Sequence, residues 1–336
     1  MSVDVVTTWE GLRRLEPAWR ALWEHSPASS PFQSPDWLLP WWDHFQSQKE
    51  LRVISVRHDG RLVGILPLYL TSHSGKGELL LLGTGNTDHL DFVGEPGLEA
   101  AAAAAALGLL STLGDPWDVV DLQELGAGSP LLGLPPPADL HVEVKEQSTC
   151  PMVALPDAGP VPMSSRLRSR VAQSRRKLLA RGSLRRIDAG SPSNSTTPGT
   201  LIEGLMALHQ ARWRKRGEAG VLHDPVTQSF HREVVERFDR ARLLRLFGLE
   251  VDAGTGGGLA GVFYGFARGD VSYAYLTGFD PALEQLSIGS LLVAEALETA
   301  VSERRRTFDF LRGGEPHKYR WGAIDHLNFR CLIHRR

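Results

Sequence analysis

The chain repeats one order of elements, and that repeat constrains its fold more than any other feature. LRVISVRHDGRLVGILPLYL (51–70) and LLRLFGLEVDAGTGGGLAGVFYGFARG (243–269) each read as two apolar runs around a polar, glycine-containing turn. That is the pattern of a β-hairpin. Each second strand carries a small-residue step, Val63-Gly64-Ile65 and Ala260-Gly261-Val262. The following pieces match in order. GELLLLGTGNTDHLDFVG (77–94) stands where DVSYAYLTGFDP (270–281) stands, EAAAAAAALGLLSTLG (99–114) where SIGSLLVAEALETAVSERR (287–305) stands, and WDVVDLQEL (117–125) where FDFLRGGE (308–315) stands. Each half therefore reads β-hairpin, β, α, β. A helix between the last two strands makes a crossover that leaves them parallel and adjacent. The expected class is α/β, with α+β mixed sheets built twice, divided into domains 1–155 and 156–336.

Helices precede each half. SPDWLLPWWDHF (34–45) sets Trp37, Trp41, Trp42 and Phe45 along one side, with Ser34 as N-cap and Pro35 as first helical residue. MSSRLRSRVAQSRRKLLARGSLRR (163–186) reads as a basic helix, with nine lysines or arginines from Arg166 to Arg186 and no acid. PGTLIEGLMALHQARWRKRG (198–217) is a further helix, after a Ser/Pro/Gly-rich linker at 189–199. GSPLLGLPPPADL (128–140) reads as an irregular connector.

Bulk properties narrow the function. The 336 residues are 42% hydrophobic and 23% charged, as in folded globular proteins, and a net charge of −2 argues against a general polyanion binder. The basic helix could still bind phosphate, anionic lipid or nucleic acid, but it lacks aromatics for base stacking, and a solvated basic face is the simpler reading. Two distant cysteines, Cys150 and Cys331, give neither a disulfide framework nor a metal spacing, which fits a reducing cytoplasm. No basic-then-apolar leader opens the sequence. The longest apolar run, 100–110, is too short to span a bilayer. HExxH, paired cysteines and GxSxG are absent, so neither a metal centre nor a hydrolase elbow is expected.

Three stretches gather groups suited to chemistry. In GTGNTDHLDF (83–92), strand alternation would put Asn86, Asp88 and Leu90 on one face and His89 with Asp91 on the other. An Asp–His pair there suits general base work, against the plainer reading of an Asx turn. On the helix of LHQARWRKRG, His209, Arg212 and Arg216 lie three and four residues apart, suited to a substrate carboxylate or phosphate, against a solvated face with Trp213 in the core. In FDFLRGGEPHKYRW, a buried strand turns at Gly313-Gly314 and sets Glu315, His317 and Lys318 at the strand ends, where open α/β sheets hold ligands.

The order of elements resembles the GNAT acyltransferase fold used twice. With PFQSPDWLLPWW (31–42), LLGTGNTDHLDF (81–92), LHQARWRKRGEAGVL (208–222) and FDFLRGGEPHKYRWGA (308–323), the chain resembles the CelD/BcsL-like double-GNAT acetyltransferases, cousins of the FemAB/FemX peptidyl transferases. The resemblance implies acyl transfer from acetyl-CoA or another acyl-CoA to an amine or hydroxyl, without a metal. The acceptor would be a small molecule or glycan precursor, and the family label is tied to cellulose and exopolysaccharide production. It also implies a pyrophosphate loop at a helix start, here Ser287, Ile288, Gly289 and Ser290, with Ser287 in place of a glycine and Glu284 in place of a Gln or Arg. The family's Glu-x-x-Lys-Tyr-x-x-Trp segment falls on Glu315, Lys318 and Tyr319, with Trp321 one residue short of the last position. Glu315 or Asp88 is the expected base, Lys318 a further catalytic group, and His89, Asp91, His209, Arg212, Arg216 and Tyr319 substrate contacts. The first half has Glu95 and Glu99 at its matching helix start, and carboxylates there repel a pyrophosphate. The donor is therefore expected on the second half and the acceptor in a groove between halves. Two other readings stand beside this one: a FemX-like transferase drawing on aminoacyl-tRNA, the one case with a nucleic-acid partner, and a non-catalytic binding module on a degenerate fold.

Overall fold

The computed structural model describes residues 1–73, 75–180, 182–190, 196–252 and 258–336. The chain forms two compact units, Met1–Thr149 with His326–Arg336, and Cys150–Asp325. The linker expected at 189–199 falls partly outside the described residues.

The first unit runs β1 (Ser2–Val6), α1 (Trp9–His25), a 3-10 turn (Pro31–Gln33), α2 (Pro35–Phe45), β2 (Lys49–His58), β3 (Arg61–His73), β4 (Lys76–Leu81), β5 (Val93–Gly94), α3 (Glu99–Thr112) and β6 (Val119–Gly126). Strands β1 to β4 pair antiparallel in order. Crossover helix α3 then brings β6 parallel to β4, from Glu78↔Val119 to Leu80↔Asp121. The strand β13 (Ile324–Arg335) completes this unit by pairing antiparallel with β6 from Asn328↔Gly126 to His334↔Val119.

The second unit is entered along β7 (Leu140–Ala154) and runs α4 (Ser165–Leu179), β8 (Ser183–Asp188), α5 (Pro198–Arg216), α6 (Pro225–Arg240), β9 (Leu244–Asp252), β10 (Gly258–Arg268), β11 (Val271–Phe279), a 3-10 turn (Pro281–Leu286), α7 (Ile288–Ser302), β12 (Thr307–Asp309) and α8 (Pro316–Tyr319). Strands β8 to β11 are antiparallel, and α7 carries the chain to β12, parallel to β11. The last residues of β7 pair with the far side of β12. The repeated order is thus present in both units.

The repeated glycines explain how the crossover helices seat. A Cβ on Gly64 would stand 2.9 Å from Ala102 Cβ of α3 and 2.5 Å from the Phe92 ring. One on Gly261 would stand 2.8 Å from Ile288 and 3.0 Å from Leu292 of α7. Only a residue without a side chain lets each helix lie this close to the second hairpin strand. On α3 the contact face is Ala102, Ala103, Ala106 and Leu110, all fully buried.

The structure departs from the sequence reading at several points. The basic stretch 163–186 is not one helix: α4 ends at Leu179, and 183–188 pairs as β8 with β9, after Gly182 at φ 151°. Leu184 and Ile187 turn inward against that sheet while Arg185 and Arg186 reach acids at its surface. The expected strand alternation across 83–92 fails, because β4 stops at Leu81 and the chain turns through 82–86 with Gly83 and Gly85 both at φ 96°. Ser34 is the N-cap of α2, but its hydroxyl donates to Pro31 O rather than accepting from the helix. The final strand β13 lies with the first unit, so 156–336 is not one contiguous body.

Candidate functional site

In the second unit, the candidate groups gather around the two parallel strands and the start of α7. Strand β12 ends at Asp309, a fully buried carboxylate that accepts from Leu311 N at 2.7 Å. Leu311 is buried and sits at φ 60°, a left-handed conformation that costs a leucine about 1–2 kcal/mol. Lys318 on α8 holds the strained turn from beneath. Its Nζ donates to the carbonyls of Leu311 (3.0 Å), Arg312 (2.8 Å) and Gly313 (2.9 Å), and pairs with Glu315 Oε2 at 2.9 Å. The lysine side chain is 7% exposed and that of Glu315 54%. Four acceptors, all within residues 311–315, share the three ammonium protons, so Lys318 anchors the loop.

Glu315 caps α8 and presents its carboxylate outward. Desolvation raises its pKa, but the Lys318 hydrogen bond and charge outweigh that and leave it below the usual carboxylate value. Desolvation lowers His317, with Glu315 opposing and Lys318, Arg320 and Arg212 adding to the shift. Arg212 of α5 is thus within electrostatic reach of the 315–318 loop. Tyr319 is turned aside, its hydroxyl donating to Asp325 at 2.7 Å.

On α5 the three spaced residues divide. His209 is 4% exposed and its Nε2 accepts from Trp213 Nε1 at 2.8 Å. Burial first, and then Arg212, push its pKa down to about 4, so it is a neutral packing partner. Arg212 lies over the Phe279 ring, 4.6 Å from its centroid, and forms no ion pair with described residues. Arg216 is exposed and lies 5.5 Å from the Trp213 ring centroid. Lys215 pairs with Glu284 at 3.2 Å, which offsets the acid that stands in the expected pyrophosphate loop.

Ser287 begins α7 at φ 51°, with no side-chain cap. Its carbonyl takes Ser290 N and Leu291 N. The N–H groups of Ile288 and Gly289 have no acceptor among the described residues. Gly289 is open: an added Cβ would meet nothing nearer than Phe279 at 3.5 Å. Free N–H groups at a 15-residue helix's positive end, with unpaired Arg212 near the adjoining strand, suit phosphate oxygens.

The first-unit candidates are fixed by local bonding. Thr87 accepts from Trp37 Nε1 at 2.9 Å, Asn86 from Trp41 Nε1 at 3.2 Å, and the Asp88 carbonyl from Asn328 Nδ2 at 2.7 Å. The His89 ring stands 6.3 Å from Phe32. Asp91 Oδ1 accepts from Phe92 N and Ser129 Oγ, yet burial pushes its pKa up to about 7. The sequence reading missed Glu124, buried at φ 58°, whose carboxylate takes Asn328 Nδ2 and Ser148 Oγ. A glutamate inside an apolar strand was the available signal.

Residues 165–319 match the family described as Acetyltransferase (GNAT) domain. Solved structures similar to the chain include FemX, with TM-score 0.68 at 11% identity over 98% of this chain and 97% of that one. Another is a conserved protein of unknown function from Bacteroides thetaiotaomicron VPI-5482, with TM-score 0.59 at 12% identity over 99% and 100%. A third is L-PGS from Bacillus licheniformis, with TM-score 0.54 at 10% identity over 93% of each. At these identities the likeness is one of fold. No curated protein matches the sequence. The second unit carries a GNAT acetyltransferase domain, and the chain as a whole has the tandem mixed α/β architecture expected from its repeat.

Proposed function

We propose that the protein moves an acetyl or other acyl group from acyl-CoA to an amine or hydroxyl, as a CelD/BcsL-like transferase acting on a small molecule or glycan precursor of the cell envelope. The observation that carries this reading is the α7 start: two unbonded N–H groups on a helix of a matched GNAT domain, beside unpaired Arg212. The acyl-CoA phosphates would bind there, and the acceptor's nitrogen or oxygen would attack the thioester carbonyl. A bond forms to the acyl carbon, the carbon–sulfur bond breaks, and coenzyme A leaves as its thiolate, which takes up the proton released by the acceptor. We assign the acceptor's proton to Glu315 rather than Asp88, because Glu315 is ionised, outward-facing and in the same unit as the α7 end. Lys318 positions it. Acting by direct transfer, the enzyme needs no nucleophilic thiol; Cys150 and Cys331 are buried, and burial pushes Cys331 up to about 11.

The test is calorimetric titration with acetyl-CoA of the wild type and of Gly289→Glu. A Cβ at this position makes only ordinary van der Waals contact with Phe279, and the substitution places a carboxylate at the helix's positive end. Acetyl-CoA affinity should fall tenfold or more with the unfolding midpoint unchanged. Absence of saturable binding of acetyl-CoA and longer acyl-CoAs to the wild type would refute the proposal. The α4 cations Arg166 and Arg170, which form no ion pair with described residues, favour a second reading, aminoacyl transfer from tRNA; salt-sensitive tRNA binding without acyl-CoA binding would establish it.

A further inference from the structure

The arginines around α4 fall into two groups. Arg175 pairs with Glu295, Arg185 with Glu250 and Arg186 with Asp188. Arg166 and Arg170 make no ion pair with any described residue, and neither does Arg320, just past α8. These three guanidinium residues line one cavity of about 220 Å³ with Ser164 and Leu167, and no acid lines it.

The arrangement is electrostatically unfavourable when empty. Arg166 and Arg170 are like charges at i, i+4, which destabilises a helix by about 0.2–0.5 kcal/mol. Both lie near the α4 N-terminus, whose first turn holds no acid, so the helix dipole opposes them as well. Arg320 adds a third positive charge from a separate element. An anion removes all three penalties together. The forked donors of arginine match a phosphate's oxygens, and Ser164, whose hydroxyl oxygen accepts from Leu167 N, keeps its proton to donate.

We propose that this cavity is a binding site for a phosphate group of a phosphorylated small molecule, distinct from the α7 helix start. Its position suggests one source. α4 packs on α7 and on the 3-10 turn before it, and Leu167 shares a core with Leu286 and Ile288 on either side of Ser287. A donor held at the α7 start could place a second phosphate, the 3′-phosphate of coenzyme A, in this cavity. That source rests on the acyl-CoA reading; the other source is a free phosphorylated metabolite.

The experiment titrates inorganic pyrophosphate calorimetrically into the full chain at low salt, comparing wild type with Arg170→Gln and Arg320→Gln. Each variant should weaken binding about tenfold or more. Arg168→Gln, which alters a residue lining a different cavity with Glu298 and Ser302, should change it less than twofold. The two test substitutions lie on separate elements, so a folding defect in one leaves the other informative. Wild-type binding that is absent, or that both variants retain, overturns the site. Acetyl-CoA and its 3′-dephospho form then separate the sources. A tenfold preference for the phosphorylated form, lost in Arg320→Gln, identifies the coenzyme. Equal affinities, or no acetyl-CoA binding beside arginine-dependent pyrophosphate binding, identify a free metabolite, and the second result also removes the acyl-CoA reading while leaving the site.

Discussion

Replacing Lys318 with methionine keeps the buried stem and removes the ammonium. In the native loop that ammonium serves the carbonyls of Leu311, Arg312 and Gly313 and the Glu315 carboxylate. A hydrogen bond to a charged group contributes about 1.5–3 kcal/mol, and the buried Leu311 carbonyl loses that in full. Carbonyls of the more open Arg312 and Gly313 can turn to water, losing about 0.5–1 kcal/mol each. Against these losses stands the desolvation of the ammonium, which methionine avoids. The net is about 2–4 kcal/mol, or roughly 5–15 °C at ~2–4 °C per kcal/mol for a unit of this size. Leu311 would also be freed to leave its left-handed conformation, so acyl transfer should fall with stability. Glu315→Gln is the control: its side chain is more than half exposed, and its pairing is worth at most about 1 kcal/mol. Urea and thermal unfolding, followed beside a transfer assay, give both quantities. Abolished transfer in Lys318→Met with an unchanged unfolding midpoint would refute the anchoring role and return the ammonium to the chemistry.

Asp91 should set a pH dependence. Its folded pKa, raised to about 7 by burial, lies above the unfolded value near 3.8, so the folded state binds the extra proton between them. That stability is present below about pH 4 and is lost as pH rises to about 7; Asp91→Asn should remove this slope, and parallel urea stability profiles for the two proteins would contradict it. Gly220→Ala should destabilise by about 2–4 kcal/mol, because Gly220 is at φ 69° and the new Cβ would stand 2.5 Å from the Trp213 ring and 2.7 Å from His209. An unfolding midpoint within 1 °C of wild type would show that the Trp213–His209 pair is free to move.

The legible part of the fold was periodic. Crossover helices, hairpins and the parallel strands follow from apolar spacing, while the close helix approach at Gly64 and Gly261, matched in sequence only as points of the repeat, emerged with the structure. What escaped was pairing at long range. β7 and β13 carry many polar residues, including His141, Glu143, Lys145, Asp325, Arg330 and His334, and their partners are far away in sequence. Basic β8 resembled its neighbouring helix because arginines suit both, and only pairing with β9 decides it. At the candidate site, Glu315 and Lys318 were visible as residue types, but the three carbonyls that claim the lysine depend on the left-handed Leu311, which no local rule for leucine foretells. His209 looked like a ligand-facing histidine by spacing, while its packed state depends on Trp213 and Gly220.

The return of β13 to the first unit has a consequence for synthesis on the ribosome. Until residues 326–336 have emerged, β6 has an open edge of backbone donors and acceptors, while all of β8 to β12 has already been made. The unit encoded first cannot be finished first. Its final pairing waits for the whole intervening unit to leave the exit tunnel, and the exposed β6 edge must be shielded from other nascent chains during that interval.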